Sequence, residues 1–153
     1  MSRARASIDI PQVRISQVEA LWYDHTRWQG FIDGLHHVER ADGPYPDVGA
    51  RITWASNHGG RGRVVERVIA YEPRVGQTLE VEDEKTTGTQ RVAFSALEEG
   101  VRIQLELEYA IRSPTPTTAL SDFFFIRRAQ ADSLRRTLLR FARELDDELH
   151  PPV

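Results

Sequence analysis

The chain has 153 residues, 40% of them hydrophobic and 28% charged, the composition of one ordinary globular domain with enough length to bury a real core. It contains no cysteine, which excludes disulfides and thiolate chemistry. With 20 basic residues against 23 acidic ones and a formal charge of -3, it lacks the basic excess of a nucleic-acid surface, so no nucleic-acid partner is expected.

The opening MSRARASIDI carries Arg3 and Arg5 ahead of a short apolar run. That run is too brief for a secretory leader and far too brief for a membrane span, so a cytoplasmic chain without an integral membrane segment is expected. ASIDI reads as a first strand. In SQVE, Ser16 and Glu19 have capping-box spacing, and Val18, Leu21 and Trp22 follow on one face, which predicts a short helix from about Ser16 to Tyr23. The next stretch, TRWQGFIDGLHHV, holds Trp28, Phe31, Ile32 and Leu35 with no regular period. Large aromatics in irregular segments usually bury themselves, so Trp28 and Phe31 are expected to be packing, with Gly30 and Gly34 serving turns. HHVER predicts a further strand. The turn ADGPYPDVG then leads to ARITWA, where Ala50, Ile52 and Trp54 alternate with polar residues.

After the glycine-rich HGGRGR comes GRVVERVIAY. One face of this strand carries Val64, Glu66, Val68 and Ala70; the other carries Arg63, Val65, Arg67, Ile69 and Tyr71. One buried charge costs less than two, which favours Glu66 inside over Arg63 and Arg67, although a bulge at Val64-Val65 would reverse the parity. EPRVG turns the chain into TLEVE, and DEKTTGT turns it again into QRVAFSAL, where Val92, Phe94 and Ala96 alternate. EEG closes a hairpin to VRIQLELEYAI, the clearest period in the chain, with Val101, Ile103, Leu105, Leu107, Tyr109 and Ile111 on one face. Beyond RSPTPTT, apolar residues from Leu120 through Leu134, Leu138, Phe141 and Leu145 to Leu149 recur at spacings of three and four or their sums. They predict one amphipathic helix of about 30 residues, stopped at Pro151 and laid on the apolar face of an antiparallel sheet.

Few motifs carry chemistry on their own. The five histidines, His25, His36, His37, His58 and His150, show no helical metal-ligand spacing, and neighbours in an extended strand point to opposite faces. No metal site is therefore expected, and one of His36 and His37 is expected to face the core. There is no G-x-S-x-G, Ser121 fits a helix cap, and HGGRGR lacks the lysine and the strand-to-helix setting of a phosphate loop. RRAQADSLRR is balanced by Glu144, Asp146, Asp147 and Glu148 and reads as a solvated helix face. Glu66 remains as the candidate catalytic residue: a buried carboxylate acts as a general base or binds a hydroxyl.

The order of elements resembles the START-like superfamily of polyketide cyclases and dehydrases, lipid-transport domains and plant hydrophobic-ligand binders. The likeness is carried by IDIP at 8–11, VEALWYDHTRWQGF at 18–31, VGA at 48–50, VIAYEP at 68–73 and GVRIQLELEY before the last helix. It implies an α+β helix-grip fold: one domain over 1–153, a curved antiparallel sheet of about six to seven strands around a long C-terminal helix, and short helices after the first strand. It also implies an apolar cavity between sheet and helix. Trp54, Glu66, Phe94, Leu105, Leu107, Tyr109, Phe123 and Phe124 are its expected ligand contacts, the ligand a hydrophobic small molecule such as a lipid, isoprenoid or polyketide, and no cofactor is implied. An aromatase/cyclase-type enzyme is the alternative, and a protein-binding adaptor a third reading. The run FFFI at 123–126 covers about 300° of a helix, more than the sheet alone can cover. Phe125 or Ile126 is therefore expected to meet a loop, a second subunit in a homodimer or a membrane-borne ligand donor.

Overall fold

A computed structural model of the chain describes residues 1–57, 62–112 and 120–151, with the backbone alone for 120–128. Seven strands form one antiparallel sheet: β1 (Ser2–Pro11), β2 (Leu35–Asp42), β3 (Arg51–Ser56), β4 (Arg63–Glu72), β5 (Gly76–Glu82), β6 (Thr86–Leu97) and β7 (Gly100–Ile111). Their spatial order is β1-β7-β6-β5-β4-β3-β2. Between β1 and β2 lie helix α1 (Ile15–Trp22) and a short 3-10 helix (His25–Gly30), and the chain ends in helix α2 (Leu120–Leu149). The sheet is curved, and α2 packs against it over β1.

The alternation in the sequence sets this sheet. Along β7, Val101, Ile103, Leu105, Leu107 and Tyr109 are all buried, and the same inward row continues through Val92 and Phe94 of β6 and Leu79 and Val81 of β5. The outward row is charged and pairs across strands, as where Arg102 grips Asp9 at 2.7 Å and Arg3 meets Glu108 at 2.6 Å. Such exposed pairs contribute at most about 1 kcal/mol each, so the sheet is held by its apolar face.

On α2 the buried stripe is Leu134, Leu138, Phe141 and Leu145, at the spacing expected for a helix resting on a sheet. Trp22 and Phe31 close on Phe141 from the other side, each with its ring centroid 5.1 Å from that of Phe141. Two polar clamps pin the same half of α2 to the segment following α1. Arg27 reaches Glu144 and Glu148 at 3.3 and 3.1 Å. Asp33 receives Arg136 through both carboxylate oxygens at 3.1 Å, Ser133 at 2.9 Å and Arg140 at 3.3 Å, while its own N–H donates to Thr137.

Several local expectations are corrected. Helix α1 is not capped by Ser16 and Glu19: Arg14 stands at the N-cap and its N–H donates to the Gln17 side chain at 2.9 Å, leaving Glu19 to accept from the Arg74 N–H at 2.6 Å. Neither His36 nor His37 faces the core. Both are exposed on β2, a sheet-edge strand with a register shift between Leu35 and His37, and their rings lie 5.1 Å apart. The irregularity breaks the alternation that was to send them to opposite faces. The bulge in β4 sits between Val68 and Ala70 rather than at Val64-Val65.

Candidate functional site

Because the β4 bulge comes after Glu66, the strand keeps its parity through that residue: Val64, Glu66 and Val68 are buried while Arg63 and Arg67 are exposed. Glu66 lies in a rung with Ile52 on β3, Val81 and Gly88 on β5 and β6, and Tyr109 on β7. Gly88, between Val81 and Tyr109, leaves its place in that rung without a side chain. Glu66 is 7% exposed, and Trp54 Nε1 donates to its Oε1 at 3.2 Å.

Beside Glu66 is a small cavity of about 20 Å³, lined by Trp22, Trp28, Ile32, Tyr45, Glu66, Gln77, Leu79, Gln90 and Val92. That is space for about one water molecule. Apolar groups form most of the wall, but four polar side chains converge on it. The Tyr45 hydroxyl donates to Gln77 Oε1 at 3.3 Å, and Gln77 Nε2 donates to the Pro46 carbonyl at 3.3 Å. Burial pushes the Tyr45 phenol well above its ordinary value, with the Glu66 charge adding to the effect, so it stays protonated at neutral pH. Gln90 brings an amide, with donors and an acceptor.

An aromatic wall supports this polar group. Trp28 stands edge-on to Tyr45, centroids 5.6 Å apart, and its Nε1 donates to the Trp22 carbonyl at 2.9 Å. Tyr23 packs edge-on against Tyr45, Tyr71 and Phe94. Its buried hydroxyl has no hydrogen-bond partner among the described residues, and burial raises its pKa.

Of the residues expected from sequence, Trp54 and Glu66 are in direct contact, and Glu66 lines the cavity. Phe94, Leu105, Leu107 and Tyr109 are buried in the inward rows of β6 and β7. The side chains of Phe123, Phe124, Phe125 and Ile126 lie outside the described residues, as do Ser121's side chain and the glycine-rich stretch at 58–61. Sequence reading passed over Tyr45, Gln77 and Gln90. A signal for the two glutamines was present: Gln77 alternates with Leu79 and Val81, and Gln90 with Val92 and Phe94, so each is a polar residue in an inward apolar row. Tyr45 sits in a Gly/Pro turn, where no periodicity operates. Among the described residues no group of three or more potential ligands could hold a metal ion, and no helix is long and apolar enough to cross a membrane.

Solved structures share this architecture. TTHA0849 from Thermus thermophilus superposes with a TM-score of 0.74 at 16% identity, over 94% of this chain and 96% of that one. The polyketide_cyc-like protein Cgl2372 from Corynebacterium glutamicum gives 0.64 at 24% identity, over 97% and 93%. The di-domain ARO/CYC StfQ from the steffimycin biosynthetic pathway gives 0.72 at 12% identity, over 97% of this chain and 52% of that one. No curated protein matches the sequence. At these identities the structures establish the helix-grip fold, while a family model described as polyketide cyclase / dehydrase and lipid transport matches residues 1–146; the chain belongs to that family.

Proposed function

We propose that the protein binds a mostly apolar small molecule, of lipid, isoprenoid or polyketide-like character, on the concave face between the sheet and α2, with a polar end directed at Glu66. The observation that carries this reading is the burial of Glu66, 7% exposed, in a rung with Ile52, Val81, Gly88 and Tyr109. A buried carboxylate costs more than an apolar side chain of similar size, even when hydrogen-bonded, so stability alone does not account for it. The buried apolar rows of β5, β6 and β7 adjoin the site, and the family description includes lipid transport.

The 20 Å³ cavity accommodates only the tip of such a ligand, against the several hundred Å³ of a typical small-molecule site. Native mass spectrometry of the purified protein, followed by solvent extraction, tests the reading, together with titration by the neutral apolar dye N-phenyl-1-naphthylamine. A bound extractable mass, or saturable dye binding at micromolar concentration, is expected. Absence of both refutes ligand carriage.

A second reading, an aromatase/cyclase-type enzyme, is favoured by the meeting of a carboxylate and a protonated phenol on one cavity. Glu66 would accept the proton from a carbon between two carbonyls, and Tyr45, turned from Gln77, would hydrogen-bond the resulting enolate oxygen. That StfQ is an ARO/CYC protein accords with this chemistry. Deuterium exchange at such a carbon in a bound 1,3-diketone, abolished in Glu66→Gln, is the expected sign of it.

A further inference from the structure

A cavity of about 20 Å³ admits no more than a water molecule, so a ligand reaches Gln77 and Leu79 only when part of the wall moves. Most of that wall is fixed: Trp22 stands on α1, Gln77 and Leu79 on β5, Gln90 and Val92 on β6. Ile32 lies in a turn, but its neighbour Asp33 is tied to α2 by Arg136, Ser133 and Arg140. Tyr45 comes from the loop between β2 and β3, which is held differently. From Gly43 to Gly49 the chain folds on itself: the Tyr45 N–H donates to the Gly43 carbonyl at 3.0 Å, the Asp47 N–H to Pro44 at 2.8 Å and the Ala50 N–H to Asp47 at 3.1 Å. Its ends meet at a narrow neck, where a Cβ on Gly43 would stand 3.2 Å from the Ala50 Cα and the Gly49 N–H donates to the Val68 carbonyl at 2.9 Å. Gly43 and Gly49 have φ of +81° and +93°, a region that glycine enters and leaves without steric cost.

Beyond the neck Pro44, Asp47 and Val48 are exposed. Among the described residues, the hydrogen bonds from the tip to the body are the two made with Gln77, from the Tyr45 hydroxyl and to the Pro46 carbonyl, both at 3.3 Å. The Tyr45 ring makes the seal, edge-on to Trp28, His25 and Tyr23 with centroids 5.6, 6.0 and 6.2 Å away. We propose that the loop Gly43–Gly49 is a lid on this cavity, swinging at its glycine neck as one unit, and that Tyr45 is the plug the motion withdraws. Two long neutral hydrogen bonds and the edges of one ring are a weak hold, in keeping with an open state populated at about 0.1–10%. The lid's role as an entrance rests on the ligand-binding reading above; its motion needs no ligand.

The chain has no cysteine, so a single introduced thiol reports its own exposure to iodoacetamide. Leu79 lines the cavity at 5% exposure; Leu138, 1% exposed on α2, does not line it. Alkylation of Leu79→Cys should run at least about tenfold faster than that of Leu138→Cys, because the lid opens more often than the whole protein unfolds. At Gly49 an added Cβ meets nothing within 4 Å, so Gly49→Ala acts through φ alone, weakening the closed state by about fivefold to thirtyfold. Placed in each background, it should raise the Leu79→Cys rate about fivefold or more and leave Leu138→Cys unchanged. Equal protection of the two thiols, no response of Leu79→Cys to Gly49→Ala, or an equal rise at both sites overturns the lid. In the chain without introduced cysteine, Gly49→Ala should speed stopped-flow association of N-phenyl-1-naphthylamine by about fivefold, and this rate decides the matter should Leu79→Cys not fold; an unchanged rate overturns the proposal. A dye that binds neither form removes the ligand-binding reading, while alkylation still decides whether the loop opens.

Discussion

Trp28 is the residue at which packing and ligand contact can be separated most cleanly. Its side chain is 4% exposed, stands edge-on to Tyr45 and His25 with centroids 5.6 and 6.3 Å away, and donates to the buried Trp22 carbonyl at 2.9 Å. Trp28→Ala removes the ring and its donor together, a loss of about 3–5 kcal/mol for a buried aromatic. Against a total stability of about 5–15 kcal/mol that is a large fraction, and at roughly 2–4 °C per kcal/mol it lowers the melting temperature by about 6–20 °C. Trp28→Phe keeps most of the ring but strands the Trp22 carbonyl, which costs about 1–3 kcal/mol by itself. Differential scanning calorimetry on the ligand-free protein should therefore rank wild type above Trp28→Phe above Trp28→Ala. Melting temperatures within about 1 °C of wild type for both variants, with dye binding lost, would refute the packing assignment and make Trp28 a ligand contact.

Other outcomes follow from the same structure. Leu138 is 1% exposed and its neighbour Leu139 57%; in urea titrations Leu138→Ala should lose about 2–5 kcal/mol and Leu139→Ala no more than about 0.5, and equal losses would contradict the placement of α2. At Asp33, burial opposes the charge, but hydrogen bonds from Arg136 and Ser133 with the charges of Arg136 and Arg140 outweigh it and hold the carboxyl below its ordinary value. A depressed folded-state pKa contributes stability above the unfolded value of about 4 and loses it as pH falls through the folded one. The stability gap between wild type and Asp33→Asn should be constant at neutral pH and narrow below about pH 4; a gap that stays flat into strong acid would show that Asp33 is not held by its clamp. Glu66→Gln preserves the acceptor for Trp54 and should melt within a few degrees of wild type while changing ligand preference; global unfolding on this change would make Glu66 a structural group.

The alternation of VRIQLELEYAI and the recurring apolar positions of the last helix made an antiparallel sheet with a long helix on its apolar face legible in the sequence, because each strand and helix face must bury its apolar side, while the helix-grip arrangement was implied by the resemblance that the order of elements carries. Glu66's position was legible to the extent that strand parity is: the residue faces inward unless a bulge intervenes, and periodicity does not say where a bulge falls. Tertiary structure placed it after Val68 and so put the carboxylate inside. The same limit explains His36 and His37, where the edge strand β2 carries a register shift between Leu35 and His37 that periodicity does not reveal. The site's remaining polar groups come from a turn, Tyr45, and from two strands, Gln77 and Gln90. Their convergence depends on distances between residues tens of positions apart, and those are fixed by sheet curvature and the seating of α2, which no local pattern encodes.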